Sequence, residues 1–271
     1  MTMHTQQQDD IISVSNLSKR FGPVTAVNDI SFSVKKGSII AFLGPNGAGK
    51  TTTIKMLTTL LNPTGGSIKL NGYDAASEKD AVRKSFGIVF QDPSLDEELT
   101  AFENMEFHGV LYDIPKKLRR ERITELLCFT ELCDRQNDLV KNFSGGMKRR
   151  LEIARGLLHH PKILFLDEPT LGLDPQTRNH IWDYINGLNK KEGVTVFFTT
   201  HQIEDAEKLA QQVIIIDHGT IIAHGTPADL KQQAGAATLE EAFITLTGKA
   251  LRDEDQTPTE HMRAHRKMWR R

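Results

Sequence analysis

The stretch Gly44-Pro45-Asn46-Gly47-Ala48-Gly49-Lys50-Thr51-Thr52 is the most informative in the chain. Its first eight residues fit the pattern G-x-x-x-x-G-K-[ST]. It follows 38–43, an almost unbroken apolar run, and opens a helical pattern that continues to about Leu61. An apolar run of that length reads as a strand buried on both faces, as in a parallel sheet. The glycines let the backbone curl so that several N–H groups converge on anionic oxygens. The helix start adds the positive end of its dipole. Lys50 can reach the β- and γ-phosphates of a nucleotide, and the Thr51 hydroxyl is a ligand for Mg2+.

Outward from this loop, the apolar run 163–166 ends in Asp167 and Glu168. A carboxylate at the end of a buried strand beside a phosphate loop can hold Mg2+. The next carboxylate can orient or deprotonate an attacking water. Asp167 is therefore expected at the metal and Glu168 at the water. His201 follows the apolar run 194–200, and Gln91 follows the short strand 87–90. Parallel sheets of this kind bind ligands at the carboxyl ends of their strands, which is where both residues fall. The Gln91 amide can reach Mg2+ or the water from there. Phe143, Ser144, Gly145, Gly146 and Met147 precede an amphipathic helix whose apolar residues are Leu151, Ile153, Ala154, Leu157 and Leu158. Ser144 is a natural N-cap, and two glycines at a helix start expose N–H groups. On local features the segment is either a plain capped helix or a second anion site.

The rest of the chain supplies a frame. Residues 11–17 and 30–36 alternate apolar and polar side chains, as half-buried strands do. A short strand at 67–70 closes on the turn dipeptide Asn71-Gly72. From about 99 to 160 the pattern is mostly helical, with breaks at Pro115 and near Asn142. Strands return at 163–166, 194–199 and 213–216, and Asp174-Pro175 opens a helix between the first two. His218-Gly219 turns the chain into 221–223, and 239–246 is a helix packed on the domain.

Composition narrows the class. The chain has 271 residues, 38% hydrophobic and 25% charged, which suits one large α/β domain with a short appendage. A net charge of −1 speaks against a generally cationic nucleic-acid binder. No apolar stretch nears the ~20 residues of a spanning helix. Residues 1–10 lack the basic start and apolar middle of a signal peptide and are expected to be disordered. The chain is expected in the cytoplasm unless a partner brings it to a membrane. Its two cysteines, Cys128 and Cys133, are expected as reduced thiols. The charged tail 248–271 reads either as a solvated terminus or as a basic contact with a membrane partner.

In this order, the motifs resemble the nucleotide-binding domain of ATP-binding-cassette proteins. The phosphate loop is similar to that family's Walker A, Gln91 to its Q-loop, and Phe143 to Met147 to its signature motif. Residues 163–168 are similar to Walker B, 171–174 to the D-loop with Asp174, and His201 to the switch histidine. Phe143 and Met147 depart from the usual Leu and Gln, while the Ser-Gly-Gly core is intact. Phe21 stands where the family usually stacks a tyrosine on adenine. FSGGMKRRLEIARGLL and LDEPTLGLDPQTR further resemble the daunorubicin-resistance type of bacterial export ATPase.

The resemblance implies an α/β fold, with a P-loop NTPase core on a mostly parallel sheet, an antiparallel β subdomain and an α-helical insertion at about 97–160. The nucleotide-binding domain spans 11–247. The implied ligands are ATP and Mg2+, the latter on Thr51, Gln91 and Asp167. Glu168, His201 and Gln91 are the implied catalytic residues. Two copies of the chain pair head to tail, so that Ser144, Gly145 and Gly146 of one meet ATP on the other. An integral-membrane permease completes the assembly at the cytoplasmic face of the inner membrane. The rival class, a soluble cassette ATPase of translation or DNA repair, usually carries two cassettes or a coiled-coil insertion.

Overall fold

A computed structural model of the protein describes residues 10–248. Residues 1–9 of the N-terminal stretch and 249–271 of the charged tail lie outside the described residues. Asp10, expected in the disordered start, is instead the first residue of a strand, opposite Lys35.

Strand β3 (Ile39–Leu43) is buried at every position. It lies between β8 (Thr195–Thr200) and β9 (Gln212–Asp217), parallel to both. β7 (Ile163–Asp167) and β6 (Phe86–Val89) extend the parallel sheet, and β10 (Thr220–Gly225) closes its other side antiparallel to β9. The order is β10-β9-β3-β8-β7-β6. Successive β3 side chains point to opposite faces. Ile40 and Phe42 enter one core with Phe32, Phe165 and Phe197. Ile39, Ala41 and Leu43 enter another with Trp182 and Phe198.

The first core is covered by an antiparallel sheet of order β2-β1-β4-β5. It comprises β1 (Asp10–Phe21), β2 (Val24–Lys35), β4 (Gly65–Leu70) and β5 (Tyr73–Asp74). β1 and β2 are longer than their alternation suggests. Register shifts interrupt their ladder, and Asn16 and Asp29 adopt positive φ of 50° and 54°. The two are joined by an Asn16 Nδ2 to Asp29 Oδ1 hydrogen bond of 2.9 Å. Bulges of this kind break the period-two pattern while the pairing continues past them.

The second core is covered by α6 (Pro175–Glu192) and α7 (Ile203–Leu209). α8 (Pro227–Ala234) and α9 (Leu239–Thr247) complete that side. The phosphate loop leads into α1 (Lys50–Leu57), and a short α2 (Lys79–Ser85) precedes β6. Between β6 and β7 run α3 (Ala101–Leu111), α4 (Lys116–Phe129) and α5 (Gly145–Leu157), which share a third core around Met105, Ile123, Leu127 and Leu151.

The cysteines correct an expectation. Cys128 and Cys133 form a disulfide. α4 ends at Phe129, and the chain reverses through Glu131 at φ 58°, which brings the two Cα atoms to 4.2 Å. The reversal brings the two sulfurs together across the turn. Reading cysteine number alone gave no access to this reversal.

Candidate functional site

The loops after β3, β8, β7 and β6 leave the sheet at one edge, because these four neighbouring strands run parallel. This places the Gly44–Thr52 loop, His201, Glu168 and Gln91 along that edge.

The phosphate loop is shaped by close packing. A Cβ on Gly44 would lie 2.3 Å from the Ile216 carbonyl oxygen, and one on Gly49 would lie 2.6 Å from that of Ala26. Gly47 and Gly49 also hold φ of 80° and 104°, where side chains are strained. The Gly44 N–H donates to Thr200 O at 3.3 Å, and the Ala48 N–H to Pro45 O at 3.2 Å. Asn46 and Gly47 are exposed at the loop's tip, and Thr52 lies on the first turn of α1.

Lys50 is only 6% exposed. Its ammonium donates to Gly44 O at 2.7 Å and Pro45 O at 3.2 Å, and lies 3.2 Å from Glu168 Oε1. Glu168 Oε1 is buried with no hydrogen-bond donor among the described residues, so the Lys50 contact is one of charge. Glu168 Oε2 accepts from His201 Nδ1 at 3.0 Å. A carboxylate can only accept, which puts the imidazole proton on Nδ1. Burial opposes ionisation of Glu168, yet the His201 hydrogen bond and the Lys50 charge together hold its carboxyl below the usual range. Glu168 also has a φ of 48°, a left-handed backbone that costs a β-carbon residue ~1–2 kcal/mol.

Asp167 is 1% exposed and accepts from Thr199 Oγ1 at 2.6 Å and Thr51 Oγ1 at 3.3 Å. Burial raises its pKa, against the pull of the two hydroxyls. A desolvated carboxylate beside a threonine hydroxyl is a hard oxygen pair suited to Mg2+. Thr199 is a residue that the sequence alone did not single out. The same hydroxyl accepts the Glu168 N–H at 3.0 Å, so it ties both acidic residues to β8. Two threonines ending a buried strand beside the acidic pair were its only signal. Thr199→Val keeps the shape and strands the Glu168 N–H. The expected cost is about 2 kcal/mol, read as a lower denaturant midpoint. Stability equal to wild type would show that the hydroxyl contributes nothing.

The remaining candidates lie further out. Gln91 is exposed, and its carbonyl accepts from Arg149 at 3.2 Å. No hydrogen bond among the described residues links its amide to Thr51, Asp167 or Glu168. Phe21 ends β1, 47% exposed, with the Lys19 ammonium 5.1 Å from its ring centroid. Ser144 caps α5 by accepting the Met147 N–H at 3.2 Å. Phe143 is buried in the helical core, and Met147 packs at its margin. Asp174 caps α6, accepting the Thr177 N–H at 2.9 Å and its hydroxyl at 2.6 Å. These bonds hold the Asp174 carboxyl below the ordinary range.

The two capped helices meet at Gly146, where a Cβ would lie 2.4 Å from Thr177 Cγ2. Gly146→Ala is expected to cost about 1–3 kcal/mol in unfolding. Adding Thr177→Ser, which removes that methyl and keeps the capping hydroxyl, should recover most of it. Failure of the second change to rescue would clear Thr177 of the clash. Within one chain, no hydrogen bond or ion pair among the described residues joins the Ser144 helix start to the phosphate loop.

Comparison with known proteins settles the family. The ABC transporter family model matches residues 27–171, more than half of the chain. The chain belongs to the ABC transporter family. This ABC protein is 43% identical over 228 residues to the daunorubicin/doxorubicin resistance ATP-binding protein DrrA of Streptomyces peucetius, covering 84% of this chain and 69% of that one. It is 41% identical over 235 residues to the linearmycin resistance ATP-binding protein LnrL of Bacillus subtilis, covering 87% and 75%. A solved ATP-binding subunit of an ABC transporter superposes with TM-score 0.79 at 32% identity, over 88% of this chain and 99% of that one. The cassette MJ0796, solved as a dimer in a post-hydrolysis state with ADP and Pi, superposes with TM-score 0.71 at 28% identity, covering 79% and 98%. In this ABC protein, no helix of the described residues is long and apolar enough to cross a membrane.

Proposed function

We propose that this protein is the ATP-hydrolysing subunit of an exporter, working as a homodimer on a separate membrane permease. The observation that carries the reading is the Lys50–Glu168–His201 cluster, set beside Thr51 and Asp167 at the end of a glycine-shaped loop. Its buried ammonium is met by the loop's own carbonyls and one carboxylate, so the anionic oxygens of an arriving phosphate would take it up with a charge-assisted contact in place of neutral carbonyls. Drug-resistance ATP-binding proteins at 40–43% identity support the export reading.

In this reading the backbone N–H groups from Gly44 to Thr52 hold the phosphates and Phe21 stacks on the adenine. Thr51, Asp167 and Gln91 would hold Mg2+. Held there, it would supply positive charge against the phosphate oxygens. Lys50 turns from Glu168 to phosphate, and Glu168 is then free to orient and deprotonate the attacking water. His201, anchored through Nδ1, steadies the carboxylate and the γ-phosphate. Ser144, Gly145 and Gly146 of a second copy close over the nucleotide, and Asp174 relays between the two sites. The region around 92–106 and the helical insertion behind it pass the movement to the permease at the cytoplasmic face of the membrane.

Hydrolysis per chain should rise with protein concentration and then saturate, because each site needs two chains. Binding of ATP should show no such dependence. A rate per chain independent of concentration, from a protein that stays monomeric in ATP, would overturn the two-chain site. Co-purification with a hydrophobic membrane protein tests the transporter assignment.

A further inference from the structure

Residues 90–100, between β6 and α3, carry Gln91 and no regular secondary structure. Such a segment must find partners for its backbone groups outside a sheet or helix. It finds many of them on one face of α5. Arg149 donates through Nη1 to Phe90 O at 2.6 Å and through Nη2 to Gln91 O at 3.2 Å. The same Nη1 pairs with Glu152 Oε2 at 3.1 Å. Glu152 Oε1 accepts the Ser94 N–H at 2.8 Å. Arg155 donates to Ser94 O at 2.7 Å and also meets the Ser94 hydroxyl. The three charged residues stand three apart on one helix, so they share a face.

Burial makes this network unusual for a helix surface. Arg149 is 7% and Glu152 1% exposed. Charges are taken out of water at a cost, which only well-placed partners offset. Here the partners are the carbonyls of Phe90 and Gln91 and the backbone of Ser94. One guanidinium fork spans two successive carbonyls and a carboxylate together. A lysine ammonium, a point charge on a flexible stem, does not reproduce that geometry.

We propose that Arg149, held by Glu152, is a positioning residue for Gln91. It ties the Gln91 loop to the helix that begins at Ser144, so that the loop and the Ser144 end move as one body. Closure of Ser144 onto a nucleotide then carries Gln91 to its working position. The proposal rests on the reading of Gln91 and Ser144 given above.

The test compares Arg149→Lys and Glu152→Gln in the full-length chain. Glu152→Gln is the milder change, because glutamine still accepts from Ser94. Amide hydrogen exchange reads the loop, and hydrolysis and ATP binding read the site. Both variants should exchange faster over 91–95, with Arg149→Lys the faster. ATP dissociation constants should stay within about threefold of wild type while kcat falls at least tenfold. In a Gln91→Ala background, Arg149→Lys should lower kcat by no more than a further twofold, since its effect passes through Gln91.

Unchanged exchange over 91–95 in both variants would overturn the proposal. So would a full further loss of kcat in the Gln91→Ala background, which is the mark of a merely structural role. The exchange result does not depend on hydrolysis. Failure of the ATPase reading itself would appear separately, as an inactive wild-type chain.

Discussion

Glu168→Gln leaves ATP bound and stops its turnover. The substitution keeps the shape and an oxygen for His201, so the cluster's packing survives. It removes the one carboxylate placed between Lys50 and His201 to take a proton from water. General-base catalysis contributes about 10²–10⁴-fold, and kcat should fall by that much. Binding should hold or tighten, because a negative charge no longer faces the phosphates. With ATP retained between two chains, the dimer should persist on a sizing column in ATP and dissolve in ADP. Steady-state hydrolysis at the wild-type rate would remove Glu168 from the reaction.

Lys50→Ala has a comparable effect on the other half of the event. The ammonium is the buried cation of the loop, and a charge-assisted contact is worth about 1.5–3 kcal/mol. ATP affinity should fall roughly tenfold to a hundredfold, as measured by titration of a fluorescent nucleotide. Removing Lys50 also leaves Glu168 buried with one partner fewer. The folded-state pKa of Glu168 lies below its unfolded value, so its contribution to stability is present above the ordinary carboxylate range. It is lost as pH falls through the folded pKa. In Lys50→Ala that pKa rises, and acid unfolding should begin at higher pH than in wild type. Unchanged nucleotide affinity would exclude Lys50 from the phosphate contact.

The parts of the site that were legible in the sequence are those where one strand or one glycine pattern carries the meaning. β3 is apolar throughout because both its faces are buried, and the loop after it has a spacing that few other structures need. The strand ends at Asp167, His201 and Gln91 followed from the same parallel logic. Thr199 was hidden, because a threonine in a strand usually reports only β-propensity. Arg149 and Glu152 were hidden for a related reason. At three-residue spacing on a helix, opposite charges normally mean a solvated face. Only the close approach of the 90–100 segment turns that face inward. α2, with the sequence KDAVRKS, is too short and polar to show a period. The Cys128–Cys133 bridge depended on a chain reversal that no residue count reveals.

The turn between β9 and β10 has a consequence for anyone who opens or extends this chain. His218-Gly219 looks like a disposable hairpin tip, far in sequence from the nucleotide. Yet the Gly219 N–H donates to Ala48 O at 3.0 Å, and Gly219 O accepts from the Asn28 N–H at 2.8 Å. A Cβ on Gly219 would meet Ala26 O at 2.8 Å, the same carbonyl that crowds Gly49. The turn is a keystone wedged between the first hairpin and the phosphate loop. A tag, reporter or permutation point placed there would spring the cradle from 170 residues away. The Asn71-Gly72 turn, where a Cβ on Gly72 meets nothing within 4 Å, is the better place to cut.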